Sequence, residues 1–330
     1  MSKEITNQEE IKLDTRIPNF AEPRTEQMEL KSKKLSNHLN RLIQKSSLIS
    51  CKNDIAPISL KTSKAVGDMA VTNGLFWVYR GQTLSSWYLC GEGSTDDMRS
   101  AYIQWCLKYH FNTVLLNLNN EALMSLFKPK KWMQVWDDAR INVTLKFIEQ
   151  LKAAGLSPAI VFYDGPADPS GKYYPILSCP DNLHADFIKI VCNALNPYVY
   201  IYLIGCETNR YWSIERVEAF IGYTKSLAGD GRFVGTHEQN VRFINGKWVL
   251  YRRVPNNAQF HCYETTNNPH DGNNVPVATM VQEVTFLCSQ ANRIPIWVGE
   301  HNTDILGTKS VAQARAMCNI NGVLGMNGPM

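Results

Sequence analysis

The chain has 330 residues, 44% of them hydrophobic and 10% aromatic, which is enough for one large domain or two ordinary ones and excludes overall disorder. Its 34 Lys and Arg against 30 Asp and Glu leave a formal charge of +4, too even for the electrostatic footprint that non-specific nucleic-acid binding needs. The nine cysteines contain no CxxC or other close ligand spacing, so they read as reduced, mostly buried thiols rather than as a disulfide framework or a zinc site.

The amino terminus, MSKEITNQEEIKLD, is polar and acidic where a signal peptide is basic and then apolar, and no apolar run approaches about 18 residues. This predicts no membrane segment, no export signal, and a cytoplasmic or virion-associated location. All eight Trp and all fourteen Tyr follow residue 70, and the segment before it is rich in Lys, Ser, Asn and Glu. Two regions are therefore expected: an amino-terminal extension over residues 1–70 and a main domain over 71–330. In the first, Met28, Leu35, Leu39, Leu42 and Ile43 form one stripe between Arg24 and Ser47, with Lys31, Lys33, Lys34, Arg41 and Lys45 mostly elsewhere. That is one amphipathic helix. Its stripe either packs on the main domain or serves self-association or attachment as a short coiled coil.

Further on, short β-branched and aromatic runs alternate with helical patterns, the mark of an α/β protein with a parallel sheet. The strand-like runs are Leu75 to Tyr79, Thr113 to Leu118, Pro158 to Tyr163, Tyr198 to Gly205, Arg232 to Thr236, Ala258 to Tyr263, Ile294 to Gly299 and Gly322 to Gly325. Helical stretches include Asp97 to His110, Asp138 to Ala154, Asn182 to Leu195, Ile214 to Ala228, Pro276 to Asn292 and Thr308 to Asn319. Eight such units in about 255 residues predict a (β/α)8 TIM barrel with an amino-terminal helical extension. A doubly wound sheet is the alternative, but no strand is followed by its Gly-rich phosphate turn. The sequence ends at Met330, directly after the eighth run, and the helix of residues 24–47 is expected to cover the position of an eighth helix.

Barrel chemistry sits at the carboxyl ends of the strands. Here those ends carry Arg80, Asn117, Asn119, Asp164, Glu207, Asn209, His237, Glu238, His261, Tyr263, Glu264, Glu300, His301 and Asn302. Strand alternation puts Val199, Ile201, Leu203, Gly205 and Glu207 on one row, read as the interior, with Tyr198, Tyr200 and Tyr202 opposite. In the seventh run Ile296, Val298 and Glu300 share a row, and Trp297 is expected to point to the helices. Two carboxylates then enter one mouth, as needed to protonate a leaving oxygen and attack an anomeric carbon.

Three short motifs resemble clan A glycoside hydrolases of the cellulase and mannanase type. Ile294 to Glu300 looks like that family's seventh strand, whose Glu is the nucleophile. Phe260, His261, Cys262, Tyr263 resembles its sixth strand, whose His and Tyr line the cleft, the Tyr contacting the nucleophile. Gly205, Cys206, Glu207 sits where the family carries its acid/base. The resemblance implies a glycoside hydrolase that cleaves a β-linked glycan with retention, with Glu207 as acid/base and Glu300 as nucleophile. His261, Tyr263, Asn209, His237, Trp212 and Asp164 are the implied substrate-binding set. Cys206 stands where the family has Asn, which leaves Asn209 as the candidate for that hydroxyl contact. Met326 and Asn327 stand where the family has an aromatic platform, which leaves Trp87, Tyr88, Tyr173, Tyr174, Tyr211 and Trp212 as candidates for sugar stacking.

Taken alone, His261 and Tyr263 read equally well as satisfied core residues, and Asp164, His237 and Glu238 as solvated strand ends. No HExxH, GxSxG or phosphate-binding glycine loop occurs, so neither metal nor cofactor is expected. The expected partner is a carbohydrate, with no nucleic acid and no membrane. The rival reading is a non-catalytic carbohydrate-binding or structural barrel, such as a virion protein.

Overall fold

The computed structural model describes residues 13–20, 64–66, 69–72, 75–76, 79–82, 95–108, 111–117, 138–163, 181–229, 231–265, 277–292, 294–300 and 323–327. β1 (Lys64–Val66), β2 (Met69–Thr72) and β3 (Leu75–Phe76) form an antiparallel meander. The composition shift at residue 70 thus falls inside a strand. Leu75 and Phe76, read from the sequence as the start of the first barrel strand, instead pair with Thr72 and Val71.

The main sheet is parallel. It runs through β4 (Tyr79–Gln82), β5 (Thr113–Asn117), β6 (Ser157–Tyr163), β7 (Ile201–Gly205) and β8 (Phe233–Glu238). A hairpin of β9 (Val241–Ile244) and β10 (Lys247–Leu250) intervenes before β11 (Phe260–Glu264), β12 (Ile296–Glu300) and β13 (Val323–Asn327), and β13 pairs back onto β4. Outside lie α1 (Asp96–Lys108), α2 (Asp138–Ala153), α3 (Asp181–Leu195), α4 (Ile214–Ala228) and α5 (Val277–Gln290). The architecture is α/β and TIM-barrel-like. The stretches predicted as helices over 24–47 and 308–319 lie outside the described residues, and among those described no helix is long and apolar enough to cross a membrane.

Local sequence explains these elements. β6 is buried along its whole length, as expected of a strand covered on both faces, and it reads as a near-continuous apolar run. α4 starts where the Ser213 side chain accepts the Arg216 N–H at 3.2 Å and ends at Gly229, whose φ of 75° suits only glycine well.

The fifth unit departs from the expected repeat, because the hairpin stands where a helix would. Asn245 and Gly246, at φ 50° and 77°, make its two-residue turn, with Ile244 paired to Lys247. Both central residues need positive φ in such a turn, and Asn-Gly is its strongest local signal.

Two clusters define inside and outside. Leu115, Ala159, Val161, Ile201, Leu203, Phe233, Phe260, Cys262 and Trp297 pack together in the interior. Val114, Leu116, Ile160, Phe162, Tyr202, Ile204, Val234, Tyr263, Ile296 and Val298 pack with the helices. This corrects the expected facing of β12: Trp297 lies inside, its ring 6.2 Å from that of Phe260, and Ile296 and Val298 face the helices. An aliphatic pair flanking a Trp satisfies either assignment, and the wider layer toward the helices took the aliphatics.

Candidate active site

Ile201 and Leu203 face inward as the alternation predicts, whereas Val199 packs toward the helices and Tyr200 packs with the interior cluster, against the expected row, and β7 stops at Gly205. Glu207 is set by a turn, not by continued strand alternation. Its backbone is left-handed at φ 51° and ψ 35°, a conformation costing a non-glycine residue about 1–2 kcal/mol. The following 3₁₀ turn, Thr208–Arg210, brings the Arg210 guanidinium back to the Glu207 carboxylate at 2.6 Å. The Tyr211 hydroxyl donates to the Cys206 carbonyl at 2.9 Å. A Cβ at Gly205 would sit 2.8 Å from that hydroxyl, so only glycine lets the chain fold back here.

Arg210 also reaches Glu264 at 3.8 Å. Glu264 ends the inward row Phe260, Cys262 on β11 and is itself buried. Beside it on β8, His237 pairs across the ladder with Cys262, and both ring nitrogens lack a hydrogen-bond partner among the described residues. Burial pushes the His237 pKa down to about 4; Glu264 opposes this shift and Arg210 adds to it. His237 is therefore neutral at physiological pH and can donate from one nitrogen and accept at the other.

β12 meets this group through a bulge. Tyr263 pairs with Val298, yet Glu264 pairs with Glu300, so Gly299 is the extra residue. A Cβ on Gly299 would meet Cys262 Sγ at 2.2 Å and the His237 ring at 3.3 Å, which makes glycine obligatory for this close approach. The extra residue offsets the reversed facing of β12, because Glu300 comes into register with an inward-facing residue despite following Val298. The side chain of Glu300 lies outside the described residues.

The other predicted residues divide. His261 and Tyr263 occupy the layer toward the helices. His261 Nε2 is 2.6 Å from Asn240 Oδ1, and burial pushes its pKa down to about 3, helped by His237 and Arg252. The Tyr263 hydroxyl donates to Glu283 of α5 at 2.5 Å, away from the mouth. Asn209 donates to the Tyr251 hydroxyl at 3.0 Å and braces the base of the hairpin. Glu238 is fully buried and held by Arg252 at 2.8 and 3.1 Å, with Thr208 donating to it at 2.5 Å.

Trp212 is corrected from a sugar platform to core. It is fully buried and stacks on Phe220 at 4.6 Å and 5°. Tyr211 is buried as well. Asn119, Asp164, His301, Asn302, Trp87, Tyr88, Tyr173 and Tyr174 lie outside the described residues. Arg210 and the site position of Glu264 were missed from sequence. The available signals were the i, i+3 spacing of Arg210 from Glu207 and the i+2 spacing of Glu264 from Cys262. Among the described residues no group of three or more His, Cys, Asp or Glu could hold a metal ion.

No protein-family model matches the sequence, and no curated protein matches it. Solved structures do. The chain is similar to the β-mannanase from blue mussel, Mytilus edulis, with TM-score 0.57 and 14% identity over 82% of this chain and 91% of that one. It is similar to β-glucuronidase from Ruminococcus gnavus, with TM-score 0.54 and 12% identity over 82% and 46%. It also resembles Gas2p of Saccharomyces cerevisiae in complex with laminaritetraose and laminaripentaose, with TM-score 0.50 and 15% identity over 82% and 60%. The chain thus spans about half the length of the latter two. The likeness is one of fold, that of a TIM-like barrel.

Proposed function

We propose that the mouth of this barrel binds a carbohydrate and hydrolyses a β-linked glycan with retention, Glu207 acting as acid/base and Glu300 as nucleophile. Under this reading residues 71–330 are a (β/α)8-type unit and residues 1–70 its extension. The observation that carries it is the bulge at Gly299, which brings Glu300 into register with Glu264, while Arg210 joins Glu264 to Glu207. This register and the two Arg210 ion pairs support assigning the three glutamates, near the ends of β7, β11 and β12, to one mouth.

In the reaction, Glu300 attacks the anomeric carbon as the glycosidic bond breaks and Glu207 gives its proton to the leaving oxygen. Glu207 then takes a proton from the water that displaces Glu300. His237, neutral and buried, is suited to hold a sugar hydroxyl. A carboxyl separation of about 5–5.5 Å is expected for this double displacement.

A second reading is a non-catalytic glycan binder. The ion pair of Arg210 with Glu207 favours it, because that carboxylate already has a charged partner within the protein. Cys206, standing where the resembled family has Asn, favours it too.

One experiment separates the two: turnover of activated aryl β-glycosides and a polysaccharide panel, run beside binding to the same panel. Hydrolysis lost in Glu300→Ala, but partly restored to Glu207→Ala by azide on activated substrates, supports the enzyme. Retention of glycan without any turnover selects the binder.

A further inference from the structure

Residues 13–20 run as a strap across the segment that follows β7. Asp14 forms a parallel bridge with Trp212, its N–H donating to the Tyr211 carbonyl at 2.8 Å and its carbonyl accepting from Ser213 N–H at 2.9 Å. The fully buried Arg216 sits beneath, its Nε 3.3 Å from the Asp14 carboxylate, its Nη1 3.0 Å from the Arg16 carbonyl and its Nη2 2.6 Å from Asp181. Asp181 in turn accepts the Asn19 N–H at 3.2 Å, and Phe20 stacks on Tyr223 at 4.4 Å. The strap is thus seated from Asp14 to Phe20.

The residue that the strap grips is the one that closes the Glu207 turn. Tyr211 takes its backbone bond from Asp14 and gives its hydroxyl to the Cys206 carbonyl, directly before Glu207. A left-handed glutamate persists only where its surroundings over-determine it. We propose that Asp14 and Arg216 are positioning residues for Glu207: the seated strap holds Tyr211, and Tyr211 holds the turn in the conformation that presents the Glu207 carboxylate. The proposal rests on the reading of Glu207 as acid/base for its effect on turnover, but the mechanical coupling stands independently of it.

The test uses the full chain with Asp14→Pro, which removes the N–H that Tyr211 accepts, and Asp14→Asn, which keeps both backbone bonds. Amide hydrogen exchange is read at residues 206–212, with β6 and β7 as internal controls for intact folding. In Asp14→Pro, exchange at 206–212 should quicken by about tenfold or more, the order expected when a local structure opens below the global barrier, with β6 and β7 unchanged. Asp14→Asn, which keeps both backbone bonds but not the charge facing Arg216, should quicken exchange at 206–212 less than Asp14→Pro does. Turnover should fall more for aryl glycosides with poor leaving groups, which need the proton, than for activated ones. A merely structural loss lowers both alike.

Unaltered exchange at 206–212 in Asp14→Pro overturns the positioning role. So does equal quickening in β6 and β7, which would make the strap a general stabiliser; Arg216→Lys, retaining the charge, then serves as the second variant, and the same uniform pattern in it confirms that outcome. Absence of turnover in wild type counts against the catalytic reading alone, because exchange still decides the strap.

Discussion

Glu264 on β11 pairs with Glu300 on β12, one residue beyond the place that the Tyr263 to Val298 pairing would give. Gly299 takes up the difference, and no other residue fits against Cys262 and His237. Gly299→Ala should therefore lower stability by about 1–3 kcal/mol, the usual cost of overpacking, read from the denaturant midpoint. Cys262→Ala removes the nearest clashing atom and should recover part of the loss in the double variant, whereas strict additivity would mean the strain lies elsewhere.

His237 and His261 carry pKa values lowered to about 4 and about 3 by burial. An unfolded histidine takes its proton near 6.5, so the unfolded chain binds more protons than the native one below that pH. Their stabilising contribution is complete above pH 6.5 and diminishes as pH falls toward 4. Each accounts for a slope of up to about 1.4 kcal/mol per pH unit in that window. Replacing either by Asn should flatten the pH dependence of the urea midpoint between pH 6.5 and 5, and an unchanged slope would contradict its neutral burial.

Tyr263→Phe leaves Glu283 without its hydroxyl donor inside the layer between sheet and helices. A loss of about 1–3 kcal/mol is expected. Because the hydroxyl points away from the mouth, glycan binding and any turnover should persist at wild-type values in the folded variant. A selective fall in turnover with stability intact would place Tyr263 in the mechanism instead.

Arg216 has two buried or half-buried carboxylates and a carbonyl to answer. Arg216→Ala strands those acceptors and should cost about 3–5 kcal/mol, the range for breaking a buried ion pair. Calorimetric unfolding of the variant measures this directly, and a change below about 1 kcal/mol would show that water replaces the guanidinium.

The sequence carried most of the sheet. Runs such as Ser157–Tyr163 and helices such as Ile214–Ala228 follow from apolar patterning and local caps, which act within a few residues. Asn245 and Gly246 carry an equally plain hairpin signal, which a strict strand-and-helix repeat has no place for. What could not be read was anything set by contacts across the chain. Trp212 sits in a loop, and Tyr163 from β6 and His184 from α3, both distant in sequence, together with Phe220 from α4, make it core. The facing of β12 was inverted because Ile296 and Val298 suit either layer. Arg210 joined the site through a left-handed turn that no periodicity encodes. Glu207 and Glu300 are legible as carboxylates at or just past strand ends, whereas the bulge that sets Glu300 in register with Glu264 is visible only in the ladder.

The hairpin between β8 and β11 is held at its root, where Arg252 grips Glu238, Asn240 meets His261 and the Tyr251 N–H returns to the Asn240 carbonyl at 3.1 Å. Beyond that root its register is set by its own two-residue turn, and its tip leaves Phe243 and Ile244 59% and 46% exposed. Val241 is buried in the core and Trp248 and Leu250 pack against it, so only the tip stands free of the barrel. Change is confined to that tip: a turn of other length or chemistry at residues 243–246 is expected to leave the strands that carry His237 and Glu264 in place.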